Sequence, residues 1–371
     1  MGIRLTFILP ASNDVPVGGF KIIYQYANAL TKDGYDVTIC YTYSSLPNSD
    51  FFKHRLGRLK HHLFKWRYDR YRVTWFRLDP RIKLKFDIIG NSEIPDGDVV
   101  IATTAPTATF VSKLSAKKGS KFYFIQSYEA WWYHGRIDEL EETYRLGLNN
   151  MVISQDLFNK VFAVTGKKPY YLPNFYMQQE FFVVNNIKQR RNTVALLNHQ
   201  QLSKRTAFGI KVLKKVKKEI PDLRVELFGT NNEPENLPSY FRYTHRATSE
   251  QLRESIYGQA KVYLLPSVLE GWGLTGMEAM ASGAVLVASN IGGIEDYAND
   301  TNSILVPPDD IQAFSDAVIR LLRDDEERVR LADKASLDMQ NFTLKKSKDR
   351  LEEIIDQSDS RERIENVRRE S

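Results

Sequence analysis

Pro266-Ser267-Val268-Leu269-Glu270-Gly271-Trp272-Gly273-Leu274-Thr275-Gly276-Met277-Glu278-Ala279-Met280-Ala281-Ser282-Gly283 is the stretch on which the fold turns. It follows a short apolar run, residues 262–265, and opens into a helical pattern, so it reads as the loop between a buried strand and a helix. Gly271, Gly273 and Gly276 let the backbone approach a ligand closely, and the amides at the helix start offer donors and partial positive charge to a diphosphate. Glu278 lies about one turn into that helix, where a carboxylate can accept two hydrogen bonds from a vicinal diol such as a ribose. Glu270, on the preceding loop, can reach the other end of the same ligand. A solvated glycine loop before a charged helix is the plainer alternative; glutamates on both flanks of the glycines favour the ligand.

Working outward, strand-like and helix-like patterns alternate along the whole chain. Residues 3–9 and 37–41 are apolar runs joined by residues 19–32, where Phe20, Ile23, Tyr26, Ala27 and Leu30 recur at helical spacing and Gly34 ends the helix. Further strands are expected at 99–102, 122–125 and 151–154, with helices at 107–117, 138–146 and 156–164. After a linker near 171–175 the alternation restarts with a strand at 193–197, a lysine-rich helix at 204–218, and strands at 224–228, 262–265, 284–288 and 303–306. From about residue 311 the chain is helical and highly charged. The pattern is α/β: two Rossmann-like doubly wound domains facing a cleft, over 1–172 and 190–342, followed by a charged helical segment over 343–371. Ligands of such sheets sit beyond the carboxyl ends of the strands, where Glu270 and Glu278 fall.

The bulk numbers agree with a folded two-domain protein. A chain of 371 residues exceeds one ordinary core, and 42% hydrophobic with 26% charged residues leaves no room for a mostly disordered chain. The single cysteine, Cys40, excludes an intrachain disulfide framework and a thiolate metal cluster, and points to a reducing compartment. No stretch reaches the ~20 apolar residues of a membrane span, so a cytoplasmic location is expected. The net charge of +6 asks for an anionic partner.

The Glu270-x7-Glu278 arrangement, the following Ala279-Met280-Ala281-Ser282-Gly283, and Ile291-Gly292-Gly293-Ile294-Glu295 resemble the donor-site signature of retaining glycosyltransferase family 4, which has the GT-B fold. The resemblance extends through Asn302-Ser303-Ile304-Leu305-Val306-Pro307 and covers most of the second half. More loosely, Gly18-Gly19 resembles the family's diglycine loop after the first strand. The resemblance implies an enzyme in which Glu278 binds the donor ribose and Glu270 the donor sugar's hydroxyls. Backbone amides near Gly273, Leu274 and Thr275 would face the diphosphate, and Lys204 would neutralise it as it leaves. Gly18 and Gly19 would close on it from the opposite domain. Glu270 and Lys204 are thus the implied catalytic pair. The family's arginine before that lysine is replaced by Asn198-His199-Gln200-Gln201, so leaving-group stabilisation rests on Lys204 and Arg205. The family's first-domain histidine is also missing from Ile125-Gln126-Ser127-Tyr128-Glu129, which leaves Gln126 and Glu129 as acceptor-side candidates. The segment 124–129 resembles rhamnosyltransferases of bacterial surface-polysaccharide assembly, which would use dTDP-rhamnose.

Other signals in the sequence compete with this one. Asp96-Gly97-Asp98 has the form of a metal-binding D-x-D, but it precedes the strand at 99–102 and so lies at the wrong end of the sheet; a turn is expected there. No His/Asp/Glu cluster has ligand spacing, so neither a metal nor any other cofactor is expected. The stretch 51–72 carries Lys53, Arg55, Arg58, Lys60, Lys65, Arg67, Arg70 and Arg72 against Asp69, with Leu56, Leu59, Leu63 and Trp66 at helical spacing. It reads as a basic amphipathic helix that docks on an anionic membrane, a peripheral location on the inner face. Nucleic acid is not an expected partner, because the basic residues are not spread over a groove-sized surface. The expected function is transfer of a hexose or deoxyhexose from a nucleotide diphosphate sugar to a surface-glycan or lipid-linked acceptor. The alternatives are a UDP-hexose or UDP-N-acetylhexosamine transferase with a soluble acceptor, and a non-catalytic sugar-nucleotide-binding membrane scaffold.

Overall fold

The computed structural model describes residues 2–11, 14–43 and 72–370, with side chains to residue 358. The basic stretch 51–72 therefore lies outside the described residues except for Arg72, which sits 3.4 Å from Asp14. The chain forms two compact units, Met1–Pro173 with Ser347–Ser371, and Asn174–Lys346.

The first unit is built on β1 (Arg4–Leu9), α1 (Gly18–Lys32), β2 (Asp36–Thr42), β3 (Lys83–Ile88), β4 (Val99–Ala102), α2 (Ala105–Ser112), β5 (Ser120–Ile125), α3 (Ile137–Tyr144), β6 (Asn149–Val152), α4 (Gln155–Thr165) and β7 (Tyr170–Tyr171). Its seven strands are parallel, in the order β3-β2-β1-β4-β5-β6-β7. Strands covered on both faces should read as continuous apolar runs, and β4 is buried at all four positions. The edge strands β3 and β7 escape sequence reading. β3 alternates Lys83, Leu84, Lys85 and Phe86 with three exposed positions, a polar edge rather than a core run. Helix α2 starts and stops before the 107–117 expected: Pro106 suits its first turn, and Ala116–Lys118 forms a separate 3-10 turn. Asp96 is paired with Lys118 at 2.7 Å and Asp98 with Arg4 at 2.8 Å, both at the amino end of the sheet. Those bonds hold both carboxyls below the usual carboxylate range.

The second unit comprises β8 (Thr193–Asn198), α5 (Thr206–Glu219), β9 (Arg224–Gly229), β10 (Phe241–His245), β11 (Val262–Leu265), α6 (Leu274–Ala281), β12 (Val285–Ser289), β13 (Ser303–Val306), α7 (Ile311–Arg323) and α8 (Asp325–Met339). Its sheet, β10-β9-β8-β11-β12-β13, is again wholly parallel and in the doubly wound order. Val194, Leu196, Val262, Leu264, Val285 and Val287 meet Val212, Leu213 and Val216 of α5 and Phe314, Val318 and Leu321 of α7 in one core. The last helix, α9 (Leu344–Glu370), groups with the first unit from Ser347 onward. Ser347 Oγ donates to Pro173 O at 2.9 Å and Arg350 Nε to Tyr171 O at 3.3 Å. Lys348 pairs with Asp33.

Both sheets reverse their winding between neighbouring strands, β1 and β4 in one and β8 and β11 in the other. The loops after those four strands are where a doubly wound sheet offers a crevice.

Candidate functional site

In the second unit the loops after β8 and β11 meet. Val268 N donates to Ser203 O at 2.8 Å, which ties the two loops together. Lys204 ends a short 3-10 turn, Leu202–Lys204, and Arg205 then takes a left-handed backbone (φ 55°), so α5 begins at Thr206 rather than at the lysine. This geometry turns the Lys204 side chain toward the loop from β11. Its ammonium donates to Glu270 Oε1 at 2.8 Å and to Oε2 at 2.7 Å. Glu270 is 7% exposed at its side chain and Lys204 22%, so the ion pair is screened from water on the carboxylate side.

The helix that follows is left open at its start. Its N-cap is Gly273, held at φ 85°, ψ 52° with no side-chain cap. That conformation favours glycine, and a Cβ there would come within 2.9 Å of the Tyr297 hydroxyl. The same hydroxyl donates to Gly273 O at 2.9 Å and fixes the loop. The amides of Leu274 and Thr275 stand in the first turn, where no intrahelical acceptor exists, and they carry the positive end of the helix dipole. Glu278 is one turn further on and 7% exposed. Gly293 closes the loop from the far side: its φ is 85°, and a Cβ would strike Gly271 O at 2.5 Å. The Ser203 and Ser267 hydroxyls and the Trp272 indole N–H are buried without a hydrogen-bond partner. Such orphan groups call for an account, and a ligand is one.

Beside this pair sits His199, which sequence reasoning passed over. His199 follows β8 and accepts from Gln201 N at 3.0 Å through Nδ1, which leaves Nε2 to donate when the ring is neutral. Burial first, and then the Lys204 ammonium, hold the imidazole below its ordinary value against the pull of Glu270. Arg205 is paired with Asp309 and lies over the Phe208 ring at 5.5 Å. Tyr297 had a signal in the sequence, since it follows Ile291-Gly292-Gly293-Ile294-Glu295 by two positions. His199 had none.

In the first unit, Gly18 and Gly19 form the first turn of α1 after Val17, again without a side-chain cap. Gly19 lies against Gln126: a Cβ built on it would be 3.4 Å from the Gln126 amide. Glu129 is buried beyond β5, and its Oε2 accepts from Ala105 N, the first amide of α2, at 2.7 Å. Burial pushes the Glu129 carboxyl up to about 8, opposed by the bond from Ala105. The structure thus brings Lys204, Glu270, Gly273, Leu274, Thr275 and Glu278 together in one unit, and Gly18, Gly19, Gln126 and Glu129 in the other. Among the described residues there is no group of three or more His, Cys, Asp or Glu that could hold a metal ion, and no helix is long and apolar enough to cross a membrane.

Solved structures share this architecture across nearly the whole chain. Sucrose-phosphate synthase from Thermosynechococcus elongatus superposes with a TM-score of 0.72 at 15% identity, over 96% of this chain and 98% of that one. HepE from Anabaena, in complex with UDP and glucose, gives 0.71 at 14% identity, over 96% and 100%. The fold is GT-B, with two α/β units of doubly wound type. The family model of the glycosyl transferases group 1 matches residues 177–338. The D-inositol 3-phosphate glycosyltransferase of Corynebacterium urealyticum is 42% identical over 82 residues, 22% of this chain and 19% of that protein. The chain thus spans about a fifth of the length of that curated relative. Residues 177–338, most of the second unit, are thus similar to the group 1 glycosyl transferases.

Proposed function

We propose that this protein transfers a hexose or deoxyhexose, with retention of anomeric configuration, from a nucleotide diphosphate sugar to a surface-glycan or lipid-linked acceptor. The observation that carries the reading is the Lys204–Glu270 pair beside the uncapped start of α6, with Glu278 buried one turn behind it. A cation, two open amides and a helix dipole converge where a diphosphate would sit.

In this account the incoming diphosphate takes over the Lys204 ammonium, and Glu270, released from it, accepts from the sugar's hydroxyls. Leu274 and Thr275 donate to the phosphate oxygens, while Glu278 accepts from the ribose diol. As the bond from the anomeric carbon to the phosphate oxygen breaks, its electron pair stays on the diphosphate. Lys204, the helix amides and then Arg205 meet the added charge. The acceptor oxygen bonds to the same face of the sugar, and its proton passes to the departing diphosphate oxygen. Of the first unit's residues, Gly18 and Gly19 serve the donor, and Gln126 and Glu129 serve the acceptor. No metal is required, because the diphosphate charge is met by the protein.

A thermal-shift screen of UDP, GDP and dTDP sugars tests the donor class, since a ligand at 100 times its dissociation constant stabilises by about 2.7 kcal/mol. If none of them raises the melting temperature, the donor assignment falls. Proton NMR of the product's anomeric signal tests retention, and an inverted product overturns it. We assign membrane docking to the stretch 51–72. Arg55, Arg58, Lys60 and Lys65 changed together to glutamate should abolish sedimentation with anionic vesicles and leave donor hydrolysis intact. Wild type that ignores such vesicles at low salt would make a soluble acceptor the better reading.

A further inference from the structure

Helix α5 carries Lys211, Lys214, Lys215, Lys217 and Lys218 against one acid, Glu219. Lys211, Lys214, Lys215 and Lys218 follow one another at three- and four-residue steps, so they lie on one face and repel one another in pairs. The neighbouring charged helices are built differently: Arg320 pairs with Glu327 at 2.7 Å, Arg328 with Asp325 at 2.8 Å, and Lys334 with Asp338. On α5, Lys217 spends its ammonium on Pro221 O at 2.6 Å and Leu223 O at 3.1 Å, and Lys215 reaches Gln312. Among the described residues Lys211, Lys214 and Lys218 have no hydrogen-bond or ion-pair partner recorded. The negative end of the helix dipole relieves Lys218 in the last turn, but its effect does not reach back to Lys211 and Lys214.

These lysines do not project from a convex ridge. Together with Ile311, Gln312, Asp316, Ile319 and Arg323 of α7 they line a half-open groove of about 590 Å³ on the second unit. The carboxylates on its wall are already engaged, Glu219 by Arg323 at 2.9 Å and Asp316 by Gln312 at 2.7 Å. A concavity of this size is within the range of small-molecule pockets. Lys211, Lys214 and Lys218, all exposed, line it from the α5 side.

We propose that the groove between α5 and α7 is a binding site for a compact multivalent phosphate anion, separate from the diphosphate site at Lys204. Basic residues outnumber the two carboxylates along the groove, and such an anion would bridge several lysines at once. A concave site favours a compact anion over a flat bilayer or an extended strand, which would meet the outer rim only.

The test is calorimetric titration of the full chain with inorganic tripolyphosphate, in a Lys204→Ala background that weakens the other phosphate site. Adding Lys211→Gln, Lys214→Gln and Lys218→Gln should weaken binding tenfold or more, and the affinity lost should be the salt-sensitive part. Without the anion, the triple substitution should melt at or above its parent, because it removes repulsion, and tripolyphosphate should raise the melting temperature of the parent alone. Equal affinity in the two proteins, or no binding in the Lys204→Ala background, overturns the proposal. A triple variant that melts well below its parent also overturns it, since the lysines would then be structural. Phosphatidylglycerol vesicles or single-stranded DNA held through these lysines, with no tripolyphosphate binding, would overturn it in favour of a macromolecular surface.

Discussion

Helices α2 and α6 hold the same place in their two units. Each has eight residues, and each follows the strand that pairs with the first strand of its sheet, β4 beside β1 and β11 beside β8. Their first turns are satisfied in opposite ways. In α2 the first amide, Ala105 N, is taken by Glu129 at 2.7 Å, and the second position is Pro106, which has no N–H. In α6 the same two positions are Leu274 and Thr275, behind a glycine cap, with a lysine held ready by Glu270. One topology therefore yields a helix start plugged by its own carboxyl and another left open for an anion. Chemistry is assigned by who satisfies the first-turn amides, not by the fold.

The largest expected effect lies on the open side. Lys204→Ala removes a charge that acts as the leaving group departs, and should lower kcat by about 10²–10³, the usual loss for one such stabilising group. Steady-state turnover with a saturating donor checks this; a folded variant within threefold of wild type would break the comparison at its functional end. The variant also strands Glu270, so a lowered melting temperature should accompany the loss.

The plugged side should show itself through pH. The Glu129 carboxyl is raised to about 8 by burial, so between the ordinary glutamate value and about 8 the folded state holds a proton that the unfolded chain gives up. Its stabilising contribution is complete below that window and declines as pH rises through it, by at most about 1.4 kcal/mol per pH unit. Tyr123 and Tyr144 face the same group, and burial holds both above their ordinary value, neutral throughout the window. Glu129→Gln should flatten the decline while keeping an acceptor for Ala105 N. Urea denaturation of both proteins across the window measures it; parallel slopes would mean that Glu129 ionises freely. The smallest expected effect is none: excess EDTA should leave turnover unchanged, and a loss restored by a divalent ion would return Asp96 and Asp98 to consideration.

The loop from β11 into α6 was largely legible because its signal is local. Glu270, the three glycines and Glu278 fall within nine consecutive residues, and burial on both faces makes β8, β11 and β12 continuous apolar runs. What joins Lys204 to Glu270 was not, since the two are 66 positions apart and meet only because β8 and β11 are neighbours across the winding reversal. Glu129 could be nominated from its place after β5, but its contact with Ala105 comes from the next loop of the sheet. Edge strands β3 and β10 hid behind alternating charge, as Phe241-Arg242-Tyr243-Thr244-His245 illustrates. The return of α9 to the first unit is held partly by hydrogen bonds to the backbone of Pro173 and Tyr171, which leave no pattern in side-chain type.

The most direct measurement is calorimetric binding of UDP, GDP and dTDP to wild type, Glu278→Ala and Glu129→Gln under one condition. Loss of a charge-assisted hydrogen bond contributes roughly 1.5 to 3 kcal/mol, so Glu278→Ala should weaken the preferred nucleotide by about tenfold or more. Glu129→Gln should bind it within about twofold of wild type, less than 0.5 kcal/mol. A folded Glu278→Ala protein that binds as wild type does, or a Glu129→Gln protein that loses the nucleotide, would contradict the assignment of the anion to the open start of α6.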